Sequence, residues 1–287
     1  MKYFKILLLF IAMVSFSCKD DFDTISTKNI YKLPKHLNEV SGLTFANNSI
    51  WTLQDSGNKN EIYKLSNEGK LLKTITIIGV KNKDWEAICS DEDGNIYIGN
   101  FGNNNNDRKD LEIYKISKDD LENDSASPSK IISFHYEDQK KFPPKRKHHY
   151  FDCESFFVSD GNFYLITKNR SSNFNGTFSI YKLNTTEENQ IALKIGEGNF
   201  CNKFNSCSIT DASISPDGSK IALLSNKRVW IYNTSDTDNF VKTEAKEFKF
   251  DSYTQREGIS FKDNSSFYIT DEKTKKVGGN LYYYELK

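Results

Sequence analysis

From residue 39 onward the chain alternates short apolar runs with clusters of Gly, Asn, Asp and Ser. TITII, IYIG, FYLIT and LYYYEL are too short for helices and rich in β-branched and aromatic residues, so each predicts a strand. Helix-period patterning is nearly absent after residue 17. The pattern predicts an all-β chain.

The runs also repeat. EVSGLTFANNSIWTLQDSG begins at Glu39, DWEAICSDEDGNIYIGNFG at Asp84 and DCESFFVSDGNFYLITKNR at Asp152. ITDASISPDGSKIALLSNKR contains Asp211, and REGISFKDNSSFYITDEKT contains Glu257. Each has an acidic start, a small residue, an apolar residue, a strand, a polar turn and a second strand. EIYKL, EIYKI, FSIYKL, RVWIY and LYYYEL supply third strands; LLKTITII, KIISFHY, QIALKIG and AKEFKF supply fourth ones. A four-stranded unit in tandem predicts a β-propeller, here of five blades, with a sixth inside the long second unit as the alternative. The last unit ends at Lys287 one strand short, and NIYKL (29–33) can complete it. The ring is thus expected to close with an N-terminal strand, and residues 29–287 to form one domain.

The N-terminus reads as an address. Lys2 and Lys5 precede ILLLFIAMV, a basic then apolar order typical of a signal peptide over residues 1–17. The apolar run is shorter than the roughly 20 residues of a spanning helix. VSFSC resembles a bacterial lipobox, which implies cleavage before Cys18 and its acylation. Lys19, Asp20, Asp21 and Asp23 resemble the surface-export signal of Bacteroidetes lipoproteins. Residues 18–28 then form a lipidated cysteine and polar tether. The expected location is the cell envelope, as an outer-membrane or cell-surface lipoprotein touching the membrane through its anchor alone.

Lys+Arg and Asp+Glu are both 39, so no overall field recruits nucleic acid, and a monomer is expected. With Cys18 acylated, Cys89, Cys153, Cys201 and Cys207 remain in an oxidising compartment. Cys201 and Cys207, close in a loop-like stretch, are candidates for a disulfide.

In a propeller the first strand of each blade lines the channel, so the acidic starts converge at one end. Asp84, Glu86, Asp152, Glu154 and Glu257 form the candidate metal- or ligand-binding set, with Asn100 and Asn103 at its edge as neutral oxygen donors. Glu39, Arg108, Lys168, Asp211 and Asp271 are possible additions. Close carboxylates repel unless a cation or basic group compensates them, and Ca²⁺ accepts carboxylate and amide oxygens in flexible number. The competing role is structural, each acid capping backbone amides of a neighbouring blade. Arg170, Lys227, Arg228, Arg256 and Lys273 fall near the same rim and can pair with the acids or bind an anionic group. No G-x-S-x-G or H-E-x-x-H is present, so no catalytic residue is named. A basic insert, KKFPPKRKHHY (140–150), separates units two and three and reads as an exposed loop, a lid or an anion-binding arm.

EVSGL with IWTLQDSG, IYKLSNEGKLLKTI and DWEAI resembles the SdiA-regulated propeller family. DWEAI, YIGNFGNNNNDR, FDCESF, YLITK and ITDASISPDG are similar to motifs of a wider group of bacterial secreted propellers. REGISF and FYITDE resemble the last blade of phytase-like or esterase-like propellers. The resemblance implies a propeller and an acidic, metal-competent channel mouth. Asn100 and Asn103 stand where the wider group carries Asp, which lowers the charge of an inherited metal site. Two functions stay open: a surface-anchored propeller that binds a glycan, peptide or protein, and a metal-assisted hydrolase of phosphate or carboxylic esters. The missing nucleophile favours binding.

Overall fold

The computed structural model describes residues 25–287. The leader, the acylation expected at Cys18 and the tether up to residue 24 lie outside the described residues.

β1 (Ile25–Lys32) comes first in the chain. Unit one contains β2 (Val40–Ala46), β3 (Ser49–Gln54), β4 (Glu61–Leu65) and β5 (Leu71–Ile77). β6 (Ala87–Ser90), β7 (Ile96–Asn100) and β8 (Leu111–Ile116) open unit two. The short β9 (Ser125–Ala126) crosses back to pair with β5, and β10 (Lys130–Tyr136) completes unit two. Unit three holds β11 (Asp152–Ser159), β12 (Asn162–Lys168), β13 (Thr177–Asn184) and β14 (Asn189–Asn199). After the single helical turn α1 (Phe204–Cys207), unit four holds β15 (Asp211–Ile214), β16 (Lys220–Leu224), β17 (Arg228–Asn233) and β18 (Ala245–Lys249). β19 (Arg256–Asp263), β20 (Ser266–Asp271) and β21 (Asn280–Leu286) form unit five, and β1 supplies its outer strand.

The fold is a β-propeller. The first strands touch in the cyclic order β2, β6, β11, β15, β19 and back to β2. Gly42 in β2 shows how tightly they pack: a Cβ there would come within 3.0 Å of the Ala87 backbone. The apolar residues of each sheet face the sheets on either side and form five clusters, one at each junction. Trp51 and Trp85, both fully buried, fill the junction of units one and two. Phe101, Phe156 and Phe163 fill the next, with Phe101 and Phe156 edge to face at 5.1 Å. Stacking of this kind lets every sheet bury both faces, which no isolated four-stranded sheet can do.

The N-terminal strand closes the ring: Ile25 lies opposite Leu286, and Lys32 opposite Asn280, in an antiparallel pairing. It starts earlier than residue 29 and takes in residues assigned above to the tether. Ile25 pairs with Leu286 and both pack on the cluster between units four and five, which holds that end of the strand down.

The pattern also gave no sign that β10 and β14 would pair. These outer strands join in parallel, Ser133 opposite Asn189 and Tyr136 opposite Ala192, and fuse units two and three into one eight-stranded sheet. Cys201 and Cys207 are disulfide-bonded across α1, with a Cα–Cα distance of 5.6 Å. Cys89 and Cys153 are free and buried.

Candidate functional site

The acidic starts of the inner strands gather at one end of the channel, joined by residues that leave the second strands. Asp84 and Glu86 flank the buried Trp85, so the alternation of an extended chain turns both carboxylates to the same side. Asp55 follows β3. One carboxylate oxygen from each of Asp55, Asp84 and Glu86 lies within 4.8 Å of the other two. Gly102, just past β7, makes room for them: a Cβ there would sit 2.5 Å from the Asp84 carboxyl carbon and 2.7 Å from Glu86 Cγ. Ser41 Oγ donates to Glu86 Oε2 at 3.0 Å, and Asp55 accepts from the Ser56 amide. Among the described residues none of the three acids forms an ion pair, whereas the acids across the mouth do.

That opposite side is neutralised. Lys168 Nζ is 3.0 Å from Glu154, and Arg170 spans Asp152 at 2.5 Å and Glu154 at 2.6 Å. Burial works to raise Glu154, but Lys168 and Arg170 outweigh it and hold the carboxyl below its usual range. Asp152 also accepts from the Asn103 amide at 2.6 Å, so it is a blade cap and an ion-pair partner at once.

Asp152 nevertheless stays raised, to about 7, by burial and the charge of Glu154 against the pull of Arg170, and the acids without an ion pair rise as well. Burial and Asp55 push Asp84 up to about 6, and burial together with Glu154 pushes Glu86 well above the carboxylate range. Glu257 rises to about 8, again by burial, against the pull of Lys168. Glu272 rises to about 7 through burial and the charges of Asp55 and Glu39. These acids hold protons that the unfolded chain has shed, so cation-free protein loses stability as pH rises from about 4.5 through 8. Melting in EDTA is therefore expected at a higher temperature at pH 5.5 than at pH 8.5, and Glu257→Gln should flatten the upper part of that curve. A melting temperature that climbs with pH would contradict this.

Several expected site residues take other roles. Asn100 turns its side chain away from the mouth: Oδ1 accepts from the Asp84 amide at 3.2 Å, and Nδ2 donates to Tyr114 at 2.8 Å. Asn103 Oδ1 accepts from the Arg108 amide, and its Nδ2 donates to the Phe151 carbonyl. The neutral oxygens expected of both thus brace the rim loop. Arg108 reaches the carbonyls of Gly102 and Asn100 and holds that loop against Asp110. Asp211 is a blade cap, accepting from the amides of Ile259 at 2.7 Å and Ala212 at 2.8 Å. Asp271 lies inside unit five, bonded to Asn280 and Tyr282, and does not join the cluster. Glu39 is exposed and accepts from Asn58. Asp55 and Glu272, absent from the set read in the sequence, occupy the positions after β3 and β20. The parallel ends of LQDSG and ITDEK were the available signal.

Gly102→Ala tests the geometry. The added methyl should push Asp84 and Glu86 apart at a cost of about 1 kcal/mol and abolish any response to calcium. An unaltered calcium response would show that the two carboxylates do not act together.

No curated protein matches the sequence. A family model does. Residues 22–140 match the SdiA-regulated family. That segment contains β1 and units one and two, and so carries Asp55, Asp84 and Glu86. The SdiA-regulated resemblance of EVSGL and DWEAI is therefore borne out. Among solved structures, the PQQ-bound aldose sugar dehydrogenase of Streptomyces coelicolor is similar over 92% of this chain and 99% of its own, at 8% identity and a TM-score of 0.55. A gluconolactonase of Xanthomonas campestris is similar over 86% of this chain and 72% of its own, at 10% identity and a TM-score of 0.48. At 8% identity the likeness to the dehydrogenase concerns the fold alone.

Proposed function

We propose that the protein is an envelope-anchored propeller that binds its ligand at the acidic channel mouth, through a calcium ion held by Asp55, Asp84 and Glu86. The observation that carries this reading is the convergence of three carboxylates with no ion pair, facing a side of the same mouth where the acids are neutralised by Lys168 and Arg170. An oxygen-only donor set of high negative charge suits a hard cation and disfavours zinc or copper. Bound calcium would offset the burial cost and the mutual repulsion that lift Asp84 and Glu86, and would offer a ligand a positive centre at the mouth. Calorimetric titration should give one calcium per chain, with binding lost in Asp84→Asn/Glu86→Gln. Absence of a binding isotherm in the unaltered protein would end this reading.

Lys168 and Arg170, across the mouth from that cation position, support a second reading, metal-assisted hydrolysis of a phosphate or carboxylic ester. Calcium-dependent turnover in a phosphatase and esterase panel, lost in the same double variant, would favour it over binding alone.

The anchor part of the proposal rests on VSFSC and the basic-then-apolar leader. Among the described residues no helix is long and apolar enough to cross a membrane. β1 runs so that Lys32 lies at the mouth end, where Asn280 pairs with Asp271, and Ile25 lies at the other. The residues between Cys18 and Ile25 can span at most about 25 Å. Acylation at Cys18 would thus hold the end remote from the mouth against the membrane and leave the acids facing outward. That remote end carries a cavity of about 770 Å³ with the exposed Asp93 on its wall. In intact membranes a bulky maleimide should label Lys273→Cys at the mouth and spare Asp93→Cys. In a Cys18→Ser background, released from the membrane, both should label equally. Equal labelling in the anchored protein would refute the orientation.

A further inference from the structure

The basic insert at 140–150 is a built feature of the rim. Its outgoing end is fixed to the strand segment that carries the mouth cations: the Arg170 amide donates to the His149 carbonyl at 2.9 Å, and the Ser172 amide to the Arg146 carbonyl at 3.2 Å. On the other side, Gln139 Nε2 donates to the Asn106 carbonyl and the Phe151 amide to Asn106 Oδ1, both at 2.8 Å. Within the insert, Arg146–His148 form a 3-10 turn and the buried His149 turns Nε2 to the Pro144 carbonyl at 3.3 Å. The segment is therefore held on both sides of the junction between units two and three.

What it displays is mainly positive charge. Lys140, Lys141, Lys145, Arg146 and Lys147 are all exposed, and residues 139–151 contain no Asp or Glu. None of the five forms an ion pair among the described residues, although the chain as a whole is neutral. Phe142 is half-buried, with Lys109 Nζ 5.2 Å from its ring centroid, so one face of that ring is already covered. The insert exposes no Leu, Ile, Trp or Phe that would insert into lipid. Nucleic-acid single strands are held by stacking on open aromatic faces as well as by charge, and interfacial membrane segments by apolar insertion. The apolar component is absent, and the aromatic one is slight: Phe142 has one face under Lys109, and the exposed His148 sits edge to face with the half-buried Tyr150 at 6.4 Å.

We infer that residues 140–148 form a docking surface for an anionic polysaccharide, whose sulfate, phosphate or carboxylate groups run along the exposed cations at the rim. Such a surface raises the local concentration of an oppositely charged chain and acts in a salt-dependent way. It does not depend on what the acidic mouth holds, because its fixing contacts come from backbone groups and from Gln139, Asn106 and His149.

The test uses the full chain in nonionic detergent, with dextran sulfate as probe and neutral dextran as control. Dextran sulfate should bind and neutral dextran should not, and raising the salt should weaken the complex. The variant Lys140→Gln/Lys141→Gln/Lys145→Gln/Arg146→Gln/Lys147→Gln should bind roughly tenfold or more weakly at an unchanged melting temperature. Should that variant fold poorly, replacing the four lysines by Arg should preserve binding in a folded protein. Equal binding of dextran sulfate by the glutamine variant, or binding insensitive to salt, overturns the inference. A short single-stranded oligonucleotide that competes equally well would replace it with indiscriminate polyanion capture. Retention on phosphatidylglycerol over phosphatidylcholine vesicles, lost in the glutamine variant, would replace it with membrane docking.

Discussion

At pH 8, calcium at a hundredfold excess over its Kd should raise the melting temperature by about 5–10 °C. Binding at that excess adds about 2.7 kcal/mol, and a domain this size gains roughly 2–4 °C per kcal/mol. Below pH 6 the effect should shrink, because Asp84, at about 6, and Glu86, pushed well above the carboxylate range, would hold the protons that calcium must displace. Asp84→Asn/Glu86→Gln should be more stable than the unaltered chain without calcium, since it removes charges that burial opposes, and should show no calcium response. Glu154→Gln makes the informative contrast. It removes the acid that Lys168 and Arg170 share and leaves the buried Lys168 without its ion-pair partner, at a cost of about 3–5 kcal/mol with or without calcium. If the Asp84/Glu86 double variant unfolds instead, these acids are blade caps in the manner of Asp211, and the ligand site lies elsewhere. If it is stabilised while the unaltered protein ignores calcium, the cluster is a strained structural ring.

The repeat explains why the fold was legible and the site only half so. In-phase units place Asp84, Glu86, Asp152, Glu154 and Glu257 at equivalent strand starts, and a propeller converts that phase into a common end of the channel. Phase says nothing of what leaves the second strands, where turn geometry decides direction. Asp55 and Glu272 turn toward the mouth, whereas Asn100 and Asn103 spend their amides on the rim loop. Nor does phase reveal whether an acid will meet a cation. Arg170 gives Asp152 and Glu154 an ion-pair partner that Asp84 and Glu86 lack among the described residues, and it lies two residues beyond a strand end where many orientations are open. The parallel seam of β10 and β14 was hidden for a related reason: it joins two outer edges, and edge pairing leaves no periodic trace in either strand.

Removal of the closing strand should have the largest effect of all. β1 covers the whole outer edge of β21, from Leu286 at one end to Asn280 at the other. Without it, that edge presents unpaired amides and carbonyls, and the cluster containing Phe250, Tyr282 and Tyr284 loses Ile25 from its wall. Unit five would also lose the strand that joins the two ends of the chain, so the ring could open at the junction of units five and one. A chain lacking residues 19–33 is expected to lose its single sharp melting transition and to aggregate through β21. A smaller change points the same way: Asn29→Pro removes a backbone donor from the strand paired with β21, at about 1 kcal/mol. Because the pairing is mostly backbone to backbone, a separate peptide of residues 25–33 should add back to the truncated chain as an edge strand and restore the transition. An unchanged melting curve after truncation would mean that residues 40–287 close the ring by themselves, and that β1 only decorates it.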